Sequence, residues 1–337
     1  MGLERAAVLL LGLTVPVALA LSVGCGARTG LLLEQAVADA GTPIEDAGIP
    51  GLDVTPRDVT PLEVCADASD TLVYVVTTDT TGDNFQILRF DPSSAQFTLI
   101  APLVCPDPYQ PFSMAVDRQG HAYVLYYDET TDSNPGLPSP PPGNIYEVNL
   151  NTGACALTSY VPNAEFSHFG MGFATDDVGG GETLYVASSN ATNTQPFVNG
   201  VLGAIDESSL GLTTIGPFSP TVSGPELTGT GDGRLFAFWA PGGLQTAGSA
   251  ISQIDKKTAT VTGQATLPGV TQGGGWAFAF WGGDFYLFTN PGGLDQPAPD
   301  PTTIVQKYDP ATGAISQIAT YPETIVGAGV STCAPIE

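Results

Sequence analysis

An all-β ring of repeated four-stranded units is the fold class this sequence predicts, and three observations predict it. One pattern recurs five times: an apolar strand ending in Asp or Asn, two more residues, a small residue, and a second strand. It reads Ile87-Leu88-Arg89-Phe90-Asp91-Pro92-Ser93-Ser94. It returns over Ile145–Thr152, Leu202–Ser209, Ile251–Thr258 and Val305–Thr312, about 50–58 residues apart. Next to each hairpin lies a second pair of strands separated by Gly and Asp. The two ends of the chain are complementary: the first unit lacks one strand, and the last segment supplies one with no unit after it. Together these predict a five-bladed β-propeller of four-stranded blades, closed by the C-terminal strand.

The elements follow in order. In the recurring hairpin, Asp or Asn caps a tight turn through its own side chain, and Pro, where present, fixes the next φ. This hairpin joins the outer strands c and d. The inner strands a and b are read at Met114–Val116 with Ala122–Leu125, at Met171–Ala174 with Thr183–Val186, at Leu227–Thr230 with Arg234–Phe238, and at Trp276–Phe280 with Phe285–Phe288. Turn residues lie between them. The first unit, residues 71–104, has b, c and d only. Ile325–Thr332 is the missing a strand, predicted to pair with Leu72–Val76. The longest insertions, 129–143 and 289–303, are Pro- and Gly-rich and fall between strands b and c. Loops on a rigid frame are where binding function concentrates.

Ahead of the ring the sequence reads as an export signal over 1–24 and a spacer over 25–64, with the propeller domain over 65–337. Residues 6–21 are uncharged and apolar, and Ser22-Val23-Gly24-Cys25 follows. About 16 residues is too short to span a bilayer, and small residues after an apolar stretch mark an export signal. The small residues before Cys25 resemble a bacterial lipobox, so Cys25 is the expected lipidation site, although Ser22 stands where a Leu is usual. After Leu33 apolar residues are sparse and aperiodic. The spacer is therefore expected to stay disordered, and to be dispensable for folding.

Composition narrows the partners. The 337 residues carry 34 acidic and 9 basic side chains, net −25. Nucleic acid is excluded as a default partner, because phosphate binding needs Lys and Arg. An anionic bilayer surface repels the domain, so membrane contact is expected through the lipid alone. The protein is expected to be a monomer.

Five cysteines minus Cys25 leave Cys65, Cys105, Cys155 and Cys333. An even number in an exported chain predicts two disulfides, and no CxxC or clustered His suggests zinc. Cys65 precedes strand b of the first blade and Cys333 follows its strand a, so both lie at one end of that blade. That predicts Cys65–Cys333. The remainder, Cys105–Cys155, joins the end of one d strand to the start of the next, nominally at opposite rims.

Motifs of catalysis are missing: there is no GxSxG elbow, HExxH, Walker loop or EF-hand spacing. His121 falls in an a–b turn, while His168 precedes an inner strand and could face the central channel. Asp83, Asp128, Asp176, Asp232 and Asp284 occupy turns. Capping is the favoured reading for them, with Ca²⁺ the weaker alternative. Inner strands line the channel, so the candidate ligand-facing set is Ser113, Met114, His168, Met171, Glu226, Thr228, Trp276 and Phe278. Alternation predicts that about half face the blade interior instead.

The phrases Pro111–Asp117, Phe169–Phe173, Glu226–Gly233 and Trp276–Asp284, with the start Cys25–Gly30, resemble a group of uncharacterised predicted envelope lipoproteins of GC-rich, predatory Gram-negative bacteria. The resemblance covers nearly the whole chain and brings no activity. It implies an exported, lipid-anchored protein. Gly26, where an Asp would retain it at the inner membrane, favours the outer membrane. More distantly the strand pairs resemble NHL and gluconolactonase-like propellers, but the Glu, Asn and Asp metal ligands of such lactonases have no matching positions here. The expectation is an envelope-anchored, non-catalytic binding or scaffold module for a protein or carbohydrate ligand, without a cofactor. The alternative is a metal-dependent propeller hydrolase, lactonase or lyase acting on sugars, with Glu226 and His168 in the channel.

Overall fold

In the computed structural model the described residues are 49–57, 65, 71–79, 84–127, 143–188, 199–292 and 301–337. The expectations for Cys25, for residues 1–48, for Asp83 and Asp128, and for most of the two long b–c insertions fall outside them.

Twenty strands form five antiparallel four-stranded sheets. Blade 1 holds β1 (Val73–Thr78), β2 (Phe85–Asp91) and β3 (Gln96–Pro102). Blade 2 holds β4 (Gln110–Val116), β5 (His121–Tyr127), β6 (Asn144–Asn149) and β7 (Cys155–Leu157). Blade 3 holds β8 (Phe169–Thr175), β9 (Glu182–Ser188), β10 (Val201–Ile205) and β11 (Leu212–Pro217). Blade 4 holds β12 (Glu226–Gly229), β13 (Leu235–Trp239), β14 (Ser249–Ile254) and β15 (Val261–Leu267). Blade 5 holds β16 (Gly275–Trp281), β17 (Asp284–Asn290), β18 (Thr303–Asp309) and β19 (Ala314–Tyr321). The last strand, β20 (Thr324–Val330), returns to blade 1 and pairs with β1, with Val73 opposite Val330 and Val75 opposite Ala328. The predicted five-bladed propeller with C-terminal closure is what forms.

The c–d turns show why the repeat was readable. Asp91 Oδ1 accepts from Ser93 N, Asn149 Oδ1 from Asn151 N, Asp206 Oδ1 from Ser209 N, Asp255 Oδ1 from Lys257 N and Asp309 Oδ1 from Ala311 N, all at 2.8–2.9 Å. One side chain satisfies the turn amide in all five blades. The hydroxyls of Ser208 and Ser209 hold the Asp206 carboxyl low, at about 2.

Packing divides into five apolar clusters, one in each interface between neighbouring blades. Strands near the axis are covered on both faces. β1 and β8 are buried at every position, whereas β3, outermost in blade 1, has none buried. This is why inner strands read as continuous apolar runs rather than as alternation. The innermost strands approach so closely that between Met114, Met171, Leu227 and Val330 no room is left for a water molecule. The ring has a plugged axis, not a channel.

Both disulfides form: Cys65–Cys333, with Cα atoms 5.7 Å apart, and Cys105–Cys155, with Cα atoms 5.1 Å apart. The opposite-rim objection to the second pair is corrected by the path of the chain after β3, whose end lies against the c–d turn of blade 2, with Pro102 O beside Gly153. There Val104 forms a parallel bridge with Ala154, which sets Cys105 beside Cys155.

The expected spacer is corrected over residues 49–57, which lie against blade 4. Pro50 O accepts from Gln264 N at 2.7 Å, on the outer strand. Asp53 N donates to Gln253 Oε1 at 3.0 Å, and Asp53 O accepts from Arg234 Nη1 at 3.3 Å. Arg57 N donates to Asp232 Oδ2 at 3.0 Å. Leu52 packs on the cluster between blades 4 and 5. These nine residues bond both members of a buried ion pair, Asp232 and Arg234, so they are a strap rather than a loose tether. Hydrogen bonds to charged groups contribute about 1.5–3 kcal/mol each. A chain starting at residue 58 should therefore be about 2–4 kcal/mol less stable than one starting at residue 48. Coincident denaturation midpoints for the two would show that the strap contributes nothing.

Candidate functional site

Strands a of all five blades start at one end of the axis, where the b–c connections also emerge. The side chains of Phe112, Glu226, Trp276 and Val326 surround a small cup there, of about 30 Å³. That is room for about one water molecule. Tyr127 and His168 extend the rim: His168 stacks on Tyr127 with centroids 4.4 Å apart, and Phe112 meets His168 edge-on at 5.3 Å and Trp276 at 6.4 Å. Tyr127 lies two residues before the Pro-rich insertion 129–143.

Glu226 forms the polar part of the wall. It is 3% exposed. Ser113 Oγ donates to Glu226 Oε2 at 2.7 Å and accepts from Met171 N at 3.2 Å. Burial drives the Glu226 carboxyl well above the ordinary carboxylate range, and the bonds from Ser113 and the Met171 amide offset only part of that. Burial thus favours the protonated form, which can donate as well as accept. The Trp276 indole Nε1 has no partner among the described residues. Ser167 Oγ lies 3.2 Å from His168 Nδ1.

The eight sequence candidates divide accordingly. Ser113, His168, Glu226 and Trp276 come together at this end. Met114 packs between blades 1 and 2, Met171 between blades 2 and 3, and Phe278 between blades 4 and 5. Thr228 Oγ1 accepts from Phe280 N at 3.4 Å and ties blade 4 to blade 5. Phe112, Tyr127 and Val326 were missed. β4 carries a bulge between Pro111 and Ser113, so Phe112 has no register partner. An extra residue in a strand breaks the alternation on which a sequence reading depends.

The opposite, a–b end is closed by ionic turns. Glu182 accepts from Arg118 N and from Thr332 Oγ1, each at 2.7 Å. Arg118 Nε lies 3.5 Å from it, at ion-pair distance but out of hydrogen-bond alignment. Burial pushes the Glu182 carboxyl up to about 7, with Arg118 and Thr332 pulling the other way. Asp232 pairs with Arg234 Nε at 2.8 Å and accepts from Thr230. Asp176 accepts from Thr183 Oγ1, and Asp284 pairs with Lys307. These three carboxylates cap and pair within the protein, as the capping reading expects. Among the described residues no three His, Cys, Asp or Glu side chains are grouped to hold a metal ion.

No family model matches this sequence, and no curated protein matches it. Solved structures do. A luciferin-regenerating enzyme is 14% identical, covering 80% of this chain and 80% of that one, with a TM-score of 0.42. An exo-β-1,3-galactanase from Phanerochaete chrysosporium is 12% identical over 74% of this chain and 54% of its own, at 0.45. A putative TolB from Agrobacterium tumefaciens is 12% identical over 76% and 85%, at 0.38. The class of protein, a five-bladed β-propeller, rests on this chain's own strand order. Its two disulfides point to an oxidising, extracytoplasmic compartment.

Proposed function

We propose that this protein is an exported, non-catalytic binding module, anchored to the cell envelope through acylated Cys25, whose axial cup receives a small group of a neutral carbohydrate. The cup itself carries the reading. Two aromatic side chains, Phe112 and Trp276, flank a buried carboxyl whose burial favours its neutral form, and the indole N–H has no partner among the described residues. Apolar faces with a few convergent donors suit the C–H faces and hydroxyls of a sugar. A net charge of −25 repels anionic ligands from the same mouth. The space is small, so only a hydroxymethyl or similar group enters while the ring lies across the aromatic rim. The sugar-hydrolase alternative needs Glu226 and His168 on one metal, and a third ligand near them is not present among the described residues.

The test has two arms. Cys25→Ser should move the protein from the detergent phase to the aqueous phase. In the purified chain, neutral oligosaccharides should change tryptophan emission saturably. Trp276→Ala should abolish that response, whereas Glu226→Gln, neutral and still a donor, should keep it. Undiminished binding by Trp276→Ala would move the site away from the cup.

A further inference from the structure

A groove of about 480 Å³ lies between blades 2 and 3 at the a–b end, opposite the cup. That volume is in the range of small-molecule sites. Carboxylates dominate its lining, and most of them are committed. Asp176 accepts from Thr183, Glu182 from Arg118 and Thr332, and Asp206 from Ser208 and Ser209. Behind them Asp117 accepts from His121 N at 2.7 Å and faces its ring Nδ1 at 2.9 Å. Glu147 and Glu207 also line the groove and make no hydrogen bond or ion pair among the described residues, although the charges of Arg118 and His121 reach Glu207.

Tyr123 points to a ligand independently of this acidity. It is 6% exposed, it lines the groove, and its hydroxyl has no hydrogen-bond partner among the described residues. Burial, and then the charges of Asp117, Glu147, Glu207 and Glu182, push its ionisation well above the ordinary phenol range. The hydroxyl therefore sits in the field of these carboxylates. The residue is mostly buried but its hydroxyl opens to the groove, so it is free to bond a group that enters from outside the chain. That partner must tolerate strong negative potential, so it is a cation. The carboxylates are too dispersed to coordinate a single ion. Their spread suits positive charges spaced along a flexible chain.

We propose that this groove binds a linear aliphatic polyamine, with ammonium groups against Glu147 and Glu207 and an N–H donated to the Tyr123 hydroxyl. The net charge of −25 concentrates such cations at the surface, and the groove converts that attraction into one site. Binding weakens with salt, because partly exposed charges are screened over about 8 Å at 0.15 M.

Calorimetric titration of the purified full chain with spermidine tests this. One saturable site per chain is expected at low salt. Glu147→Gln with Glu207→Gln should weaken it by about tenfold or more, a loss of about 1.4 kcal/mol. Tyr123→Phe, which keeps the ring, should weaken it by about threefold. Glu165→Gln, outside the groove, should leave it unchanged. Multiple weak sites indifferent to these variants would mean diffuse counter-ion binding and overturn the proposal, as would no measurable binding. Displacement of spermidine by equimolar Ca²⁺ would assign the groove to a metal. Tighter binding of a lysine-rich peptide would assign it to a protein partner. Either result also overturns the proposal. The cup plays no part in this test, so its outcome is independent of the carbohydrate reading.

Discussion

A chain ending at Glu323 should not yield a soluble, cooperatively folding protein. Removing residues 324–337 takes away β20, the innermost strand of blade 1, and leaves β1 with an open edge along Val73–Thr78. An apolar inner strand with unpaired backbone groups is a template for aggregation. Ile325, Ala328 and Val330 also leave the cluster between blades 5 and 1. Thr332 no longer donates to Glu182 Oε2, which stays buried with one bond fewer. The Cys65–Cys333 link is lost as well, and it closes a loop of 268 residues. The chain entropy removed by closing a loop that long is roughly 5–6 kcal/mol. Net stability of a domain is about 5–15 kcal/mol, so several of these losses together exceed it. Cys333→Ser alone keeps β20 and should fold with a stability lower by several kcal/mol. Partition between pellet and supernatant, then guanidinium melts, read the two variants. A soluble truncation with a single sharp transition would show that β20 does not close the ring.

Closure was legible because it follows from counting strands. The c–d turns are just as local: an Asp or Asn bonds its own neighbours, so the signal sits within four residues at Asp91, Asn149, Asp206, Asp255 and Asp309. What sequence hid depends on three-dimensional accidents. The bulge that frees Phe112 from register leaves no composition signal. Residues 49–57 dock through backbone amides and carbonyls on Gln253, Gln264, Asp232 and Arg234. Such bonds need no apolar periodicity, so a polar stretch read as spacer. The reach of Cys105 to Cys155 comes from the parallel Val104–Ala154 bridge between neighbouring blades, which strand order alone does not show. Of the cup, the inner-strand residues Ser113, Glu226 and Trp276 were found by their place at or near strand starts. The strand-b contributor Tyr127 was not, because every strand-b residue looks like core. The groove gathers Tyr123, Glu147 and Glu207 from different strands and turns, and no spacing rule links them.

Gly170→Ala should be strongly destabilising through steric clash alone. A Cβ at Gly170 would lie 2.1 Å from Pro225 O and 2.6 Å from Glu226 Cα. At Gly229, on the facing strand, it would lie 2.2 Å from Phe173 O. These are backbone atoms of β8 and of the chain entering β12, so no side chain can rotate away. The alanine is not strained in itself, since neither glycine has a positive φ; the entire effect is steric. Room can come only from pushing blades 3 and 4 apart at the axis, where the plug leaves no slack. Overpacking a core typically costs about 1–3 kcal/mol, occasionally more, and rigid backbone on both sides places Gly170→Ala at or above the top of that range. Gly229→Ala should behave alike. The pair should lose less than the sum of the two, because the first displacement makes room for the second. Displacement of Glu226 Cα also moves the carboxyl that lines the cup, so ligand response should fall even in molecules that remain folded. Gly51→Ala supplies the control, since a Cβ there meets nothing within 4 Å; its denaturation midpoint should match that of the unaltered chain. A Gly170→Ala midpoint as unchanged as that of Gly51→Ala would mean that the inner strands are not in backbone contact and that the axis is open.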